Sequence, residues 1–212
     1  MTLAAAAGHR LTVVDLGLGN LGSVLQALRR VGGTPLLTSD AQLIARAPRL
    51  LLPGVAAFGL GMERARQISL LPALREALLR ATPVLGICLG MQILFEEGEE
   101  DSVQAGLGLL PGKVTRLPAG VQVPHIGWQQ LEQTSDTQLL ERGRLPWAYF
   151  ANSYRCEAPP EVTQAVVHHG AVAIAAVVGR GTLYGVQSHP EKSAQDGEAL
   201  LGRFLALPEG RA

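Results

Sequence analysis

The chain predicts an α/β fold: a central mixed, mostly parallel sheet flanked by helices, with antiparallel strands in the C-terminal half. Three observations carry this. Short, almost wholly apolar strand patterns alternate with helical patterns through the first half, as in a parallel sheet covered on both faces. Beyond Phe95 the texture changes to strands joined by short turns. Hydrophobic residues make up 47% of the 212 positions and charged residues 17%, a balance that favours one folded domain with a sizeable core over disorder.

Taken in order, 11–16 reads as the first strand and 21–31 as an amphipathic helix ended by Gly32-Gly33. Residues 36–38 make a second strand, and Asp40 is placed to cap a short helix. Leu50-Leu51-Leu52 is a third strand, stopped by Pro53-Gly54. Helical patterns follow over 62–68 and 72–80, then a fourth strand over 84–87 and a helix running through Phe95. The later strands are expected over 114–117, 128–131, 148–150, 164–168, 171–178 and 182–187. Gly179-Arg180-Gly181 is the expected hairpin turn between the last two. An amphipathic helix over 195–205 closes the fold. Residues 1–10 are expected to form a mobile N-terminal extension and 11–207 a single domain. The acidic run Glu96–Asp101 is expected to be a solvated helix end.

The formal net charge is zero, with no cluster of Lys or Arg, so neither a nucleic acid nor an anionic membrane is an expected partner. Low charge density gives weak colloidal repulsion and suits a permanent partner subunit. Two cysteines, Cys88 and Cys156, cannot build a disulfide framework, and no Cys/His spacing suits zinc. Ala4–Ala7 is too short and too weakly apolar for a signal peptide, and no apolar run spans a bilayer. A reducing cytosol is the expected location, with no metal and no cofactor.

The densest chemical signal is Gly86-Ile87-Cys88-Leu89-Gly90. A short apolar strand ends in Gly-x-Cys-x-Gly and leads into an apolar helix, which is the cysteine form of a nucleophile elbow. Glycines on either side leave room for the sharp turn. A helix N-terminus there would favour the attacking thiolate. A buried cysteine between packing glycines gives the same pattern without chemistry. Gly17-Leu18-Gly19-Asn20-Leu21-Gly22, with Asp40 near the next strand's end, competes as a dinucleotide fingerprint. Glycines can equally serve a tight turn with no phosphate present.

His189-Pro190-Glu191 follows the last strand. Pro190 stiffens the segment and holds the imidazole beside a carboxylate. A thiol nucleophile needs a base within reach, and that base benefits from an orienting group. Leu51-Leu52-Pro53-Gly54-Val55-Ala56 also follows a strand and can aim backbone N–H groups at an oxyanion. Each signal alone is open to a bland turn reading. All three sit at strand C-terminal ends, where open α/β sheets place their sites.

In this order the three segments resemble the class I (triad-type) glutamine amidotransferases, whose fold is flavodoxin-like. Asp15-x-Gly17-x-Gly19-Asn20, Pro124-His125-Ile126-Gly127-Trp128, Tyr149-Phe150 and His189-Pro190-Glu191-Lys192-Ser193 bring it closest to a branch feeding ammonia to a separate (βα)8-barrel cyclase subunit. The resemblance implies Cys88 as nucleophile, His189 as base and then acid, and Glu191 as its orienting carboxylate. It implies an oxyanion hole from the backbone of Leu89 and Val55. Glutamine contacts fall to Gly54, Gln92, Ser153 and Tyr154, and partner contacts to Asn20 and Lys192. The implied reaction is glutamine hydrolysis with ammonia passed on inside a heterodimer. A glutaminase for another ammonia-using synthase, or an idle regulatory subunit, remain as alternatives. The resemblance departs at Ala56, where glycine is usual, at Ser188, where an aromatic is usual, and at Leu16 and Ala151-Asn152. Ala56 disfavours positive φ and is expected to alter a peptide flip in the loop.

Other residues draw plainer expectations. His125 is read as structural or interfacial, and His168 and His169 as lying in a solvated turn. Cys156 is expected to be a passive thiol. Trp128 and Trp147 are expected to be core or interface anchors.

Overall fold

A computed structural model describes residues 8–19 and 21–211. The first half alternates as expected: β1 (His9–Val14), α1 (Leu21–Arg30), β2 (Gly33–Thr38), α2 (Ala41–Ala45), β3 (Leu50–Gly54), α3 (Phe58–Gln67), α4 (Leu70–Leu79) and β4 (Val84–Cys88). A single helical turn, α5 (Leu89–Gln92), leads to β5 (Glu97–Gly98), β6 (Gln104–Ala105), β7 (Lys113–Arg116), β8 (His125–Gln130) and β9 (Glu132–Gln133). Then come β10 (Trp147–Asn152), β11 (Tyr154–Glu157), β12 (Thr163–His169), β13 (Val172–Arg180) and β14 (Leu183–Val186). A 3₁₀ turn (Pro190–Lys192) and α6 (Ala194–Ala206) complete the order.

The main sheet runs β2-β1-β3-β4-β14-β13-β12-β9. It is parallel from β2 to β14 and antiparallel from there to β9. Two smaller sheets, β10-β8 and β11-β7-β5-β6, lie apart from it. β3, β4 and β14 are buried along their whole length, and successive residues point to opposite faces. Leu50, Leu52 and Val84 join the core beneath α3 and α4, with Phe58, Met62 and Leu74. Leu51, Leu85 and Ile87 join the core beneath α1 and α6, with Leu28, Leu201 and Phe204. Unbroken apolar strands are therefore required here, since neither face meets water.

Asp40 caps α2 as expected, its carboxylate accepting from the Gln42 and Leu43 N–H groups at 2.7 and 3.2 Å. Four expectations are corrected. β1 starts inside the expected extension, His9 and Arg10 pairing with Gly33 and Thr34; residues 1–7 lie outside the described residues. The helix after Cys88 stops at Gln92, because Leu94 and Phe95 donate only three residues back, to Met91 and Gln92. The last hairpin turns at Gly181-Thr182, with Gly179 and Arg180 still paired to Tyr184 and Leu183. Gly181 supplies the positive φ, whereas the Gly179 Cβ position lies 2.5 Å from the Gln164 side chain.

The acidic run is not a helix end. Glu96 accepts from the Gly112 N–H, Glu99 pairs with Lys113, and Glu100 accepts from the Phe58 N–H at 2.7 Å. Glu100 thus caps α3 from a distant segment, placing a negative charge where the helix dipole is positive.

Candidate active site

Cys88 ends β4 and precedes α5 with φ 54° and ψ −112°, a backbone conformation that costs a non-glycine residue energy and is held only by its surroundings. Those surroundings are tight. A Cβ on Gly86 would stand 2.5 Å from the Gly90 carbonyl oxygen, and one on Gly90 1.7 Å from the Leu52 carbonyl oxygen. The turn folds back on Gly86 and β3 presses on Gly90, so closely that both glycines are obligatory. The expected helix dipole is reduced, since α5 is one turn long and few peptide dipoles align.

The larger electrostatic influence comes from β14. This strand lies parallel to β4 with Val186 beside Ile87, so the residues after it emerge next to Cys88. His189 is anchored through its backbone: its N–H donates to the Tyr149 carbonyl at 2.9 Å, and its carbonyl accepts from the Ser193 hydroxyl and the Lys192 N–H. Its Nδ1 lies 2.9 Å from Glu191 Oε1, with the two side chains 4% and 6% exposed. Burial alone pushes the imidazole down. Hydrogen bonds to the Cys88 sulfur and the Glu191 carboxylate, with the attraction of both charges, push it up further, to about 9 from 6.5. An imidazolium is thereby held between a sulfur and a carboxylate, the arrangement a thiolate nucleophile requires.

The other expected site residues gather around this pair. Gly54 lies beside Cys88 in the β3–β4 ladder, and the Gly54 Cβ position is 3.2 Å from Leu89. Val55 projects into solvent from the loop beyond. Among the described residues neither Val55 nor Ala56 has positive φ, so Ala56 is unstrained in this loop conformation. Gln92 is buried on α5, its Nε2 3.4 Å from the Tyr154 carbonyl oxygen and 3.1 Å from Gln187 Oε1. Ser153 adjoins Tyr154, and its carbonyl accepts from the Leu117 N–H. Lys192 is exposed, its ammonium 5.8 Å from the centre of the Tyr149 ring. Asn20 lies outside the described residues.

Gln187 was not singled out by sequence reasoning. It is wholly buried, with Nε2 3.8 Å from Cys88 Sγ. A polar residue closing an otherwise apolar strand, two positions before His189, was the available signal.

The first glycine-rich turn is accounted for without a nucleotide. Gly17 and Gly19 adopt φ of 67° and 86°, and the Asp15 carboxylate accepts from the Gly17 N–H. The carboxylate of Asp40 is taken up as the cap of α2. One further expectation is corrected. His168 and His169 belong to β12, where His169 Nε2 contacts the Gln122 carbonyl oxygen at 2.6 Å. His125 is buried between Phe150 and His169, ring centroids 4.7 and 4.3 Å away, and neither ring nitrogen has a hydrogen-bond partner. Trp128 and Trp147 are surface residues, 46% and 48% exposed, Trp128 standing edge-on to Tyr149.

A strained cysteine at a strand-to-helix turn, with a carboxylate-held imidazole at the next strand's end, is a constellation for acyl transfer through a thiol. The family description "Glutamine amidotransferase class-I" matches residues 12–206, and the chain belongs to that family. It is 45% identical to the imidazole glycerol phosphate synthase subunit HisH of Symbiobacterium thermophilum, over 92% of each chain. Identity to the subunit of the same name from Synechococcus elongatus is 42%, over 94% of each. Among solved structures, PurLQS from Thermotoga maritima superposes with a TM-score of 0.72 at 20% identity, covering 93% of this chain and 98% of that one; at that identity the likeness is one of fold.

Proposed function

We propose that the chain is the glutaminase subunit of an imidazole glycerol phosphate synthase, hydrolysing glutamine to glutamate and ammonia. The observation that carries the chemistry is the convergence of Cys88, His189 and Glu191 at adjacent strand ends. The similarity to synthase subunits over nearly the whole chain supports the pathway.

The Cys88 thiolate attacks the side-chain carbonyl carbon of glutamine. A C–S bond forms as the carbonyl electron pair moves to oxygen, which the Leu89 and Val55 N–H groups receive. The His189 imidazolium gives its proton to the amide nitrogen, the C–N bond breaks, and ammonia leaves behind a glutamyl thioester. Neutral His189 then takes a proton from water, whose oxygen attacks the thioester carbon. Collapse expels the thiolate and releases glutamate. Gln92, Gly54, Ser153 and Tyr154 hold the substrate. Glu191 keeps the His189 ring oriented and balances its charge. Side chains supply both nucleophile and proton carrier, so the scheme uses neither metal nor cofactor.

Ammonia is useful as a nucleophile only while unprotonated, so it passes directly to a partner. The partner in this reading is a (βα)8-barrel cyclase subunit that makes imidazole glycerol phosphate and aminoimidazole carboxamide ribotide in histidine biosynthesis. The β8–β10 ribbon supports a docking place. Ile126, Trp128 and Trp147 are exposed on one of its faces, where Trp128 pairs with Tyr149. An uncovered aromatic face rimmed by a cation has the composition of an interface core. Tyr149 ties it to the site, because the Tyr149 carbonyl accepts from His189.

The test is coexpression with a cyclase subunit of this synthase and assay of glutamine hydrolysis with the cyclase's ligand present. Activity is expected in the wild type and lost in Cys88→Ala. Full glutaminase activity in Cys88→Ala would sink the mechanism, and co-purification with a different ammonia-using synthase would reassign the pathway.

A further inference from the structure

Gln187 is a polar residue beside Cys88 that this mechanism leaves unused. It follows β14, wholly buried, and its backbone N–H is tied to the Ala176 carbonyl at 3.0 Å. Its side chain lies between two groups of the site, with Oε1 3.1 Å from Gln92 Nε2 and Nε2 3.8 Å from Cys88 Sγ.

The order of these atoms is dictated from one end. The Tyr154 carbonyl can only accept, so the Gln92 carboxamide must turn its NH₂ group toward it. The same NH₂ meets Gln187, which must therefore offer its oxygen there. The NH₂ group of Gln187 is then left facing the sulfur. Reversing either amide would set NH₂ against NH₂ or oxygen against oxygen in a buried space, where unmade hydrogen bonds are costly.

We propose that Gln187 is a positioning residue, part of a polarised relay from the Tyr154 carbonyl through Gln92 that aims an N–H donor at the Cys88 sulfur. A donor favours the anionic form of the group it faces, so Gln187 supports the thiolate in addition to the charge balance of His189 and Glu191. It also couples Cys88 to Gln92. Glutamine engaging the Gln92 side chain alters the carboxamide that orients Gln187, so a filled site and a reactive sulfur are linked through two side chains. This rests on Cys88 being the nucleophile.

The test is the pH profile of iodoacetamide alkylation at Cys88 in the full chain, on a Cys156→Ala background so that a single thiol reports. Gln187→Leu removes the donor at similar volume. The profile is expected to move to higher pH, with alkylation at pH 7 slowed about tenfold. Gln187→Glu, which sets a carboxylate by the sulfur, is expected to move it further in the same direction. Gln187→Met gives the same readout should Gln187→Leu fail to fold. In the complex, kcat for glutamine is expected to fall in Gln187→Leu. An unmoved alkylation profile in a folded Gln187→Leu or Gln187→Met protein overturns the assignment and leaves the functional reading standing. Full activity in Cys88→Ala overturns the functional reading itself.

Discussion

His189 and His125 are both buried, 3% and 1% exposed, and both lie against β10. His189 reaches its strand through the Tyr149 carbonyl, while His125 stacks on Phe150. In each the leading effect is the same: burial disfavours the imidazolium. For His125 burial prevails, aided by the nearby charge of His169, and the ring is held down at about 4. For His189 the sulfur of Cys88 and the carboxylate of Glu191 reverse the outcome, to about 9. Burial therefore does not make a histidine reactive. What separates proton carrier from packing element is the company of the ring: the Cys88 sulfur and the Glu191 carboxylate beside His189, and beside His125 another imidazole, His169.

The sharpest way to break this comparison is to remove the ring that has partners. His189→Ala is expected to lower kcat for glutamine hydrolysis in the assembled enzyme by about 10³–10⁴-fold, measured as glutamate release; a loss below tenfold would contradict its role. Glu191→Gln keeps shape and removes charge. Activity should fall by about 10–100-fold, with the alkylation profile of Cys88 moving to higher pH as the imidazolium loses its counter-charge. An unchanged profile would place Glu191 outside the coupled set.

Smaller effects read the two rings through stability. The raised His189 means that the folded state binds its proton more tightly than the unfolded chain between about 6.5 and 9. Its contribution is complete below 6.5 and lost as pH rises through 9. His125 is lowered, so the unfolded chain binds its proton more tightly between about 4 and 6.5. Stability is then lost as pH falls through that window. Urea unfolding across pH should show both limbs. His125→Phe should flatten the acid limb, leave the alkaline limb in place, and change activity at pH 7 by less than about twofold. An acid limb that persists unaltered in His125→Phe would show that the lone ring is not its origin.

What could be read beforehand followed locality. The elbow was legible because its requirements, two glycines flanking one cysteine, lie within five residues. His189 and Glu191 were legible because Pro190 fixes them within one turn. The alternation of strands with helices was legible because β3 and β4, buried on both faces, are almost wholly apolar. The rest depended on partners distant in sequence. The contact of Gln92 with Gln187 joins α5 to the residue after β14. The length of α5 is set by the turn that follows it, and the acidic run was misread because its use, capping α3, lies about forty residues away. Trp128 and Trp147 show no local sign of which face of their strands meets solvent.

That cap has a mechanical consequence for the loop facing Cys88. On one side Gly54 is locked into the β3–β4 ladder. On the other the Phe58 N–H is moored to Glu100 and its ring is wholly buried. Only residues 55–57 lie between these two bearings. Any reorientation of the Val55 peptide must therefore occur as a crank within three residues, its axle fixed at both ends. Motion of that kind turns a single N–H through a large angle while the flanking strand and helix stay still. It also ties the stiffness of the crank to an acidic side chain from a segment distant in sequence.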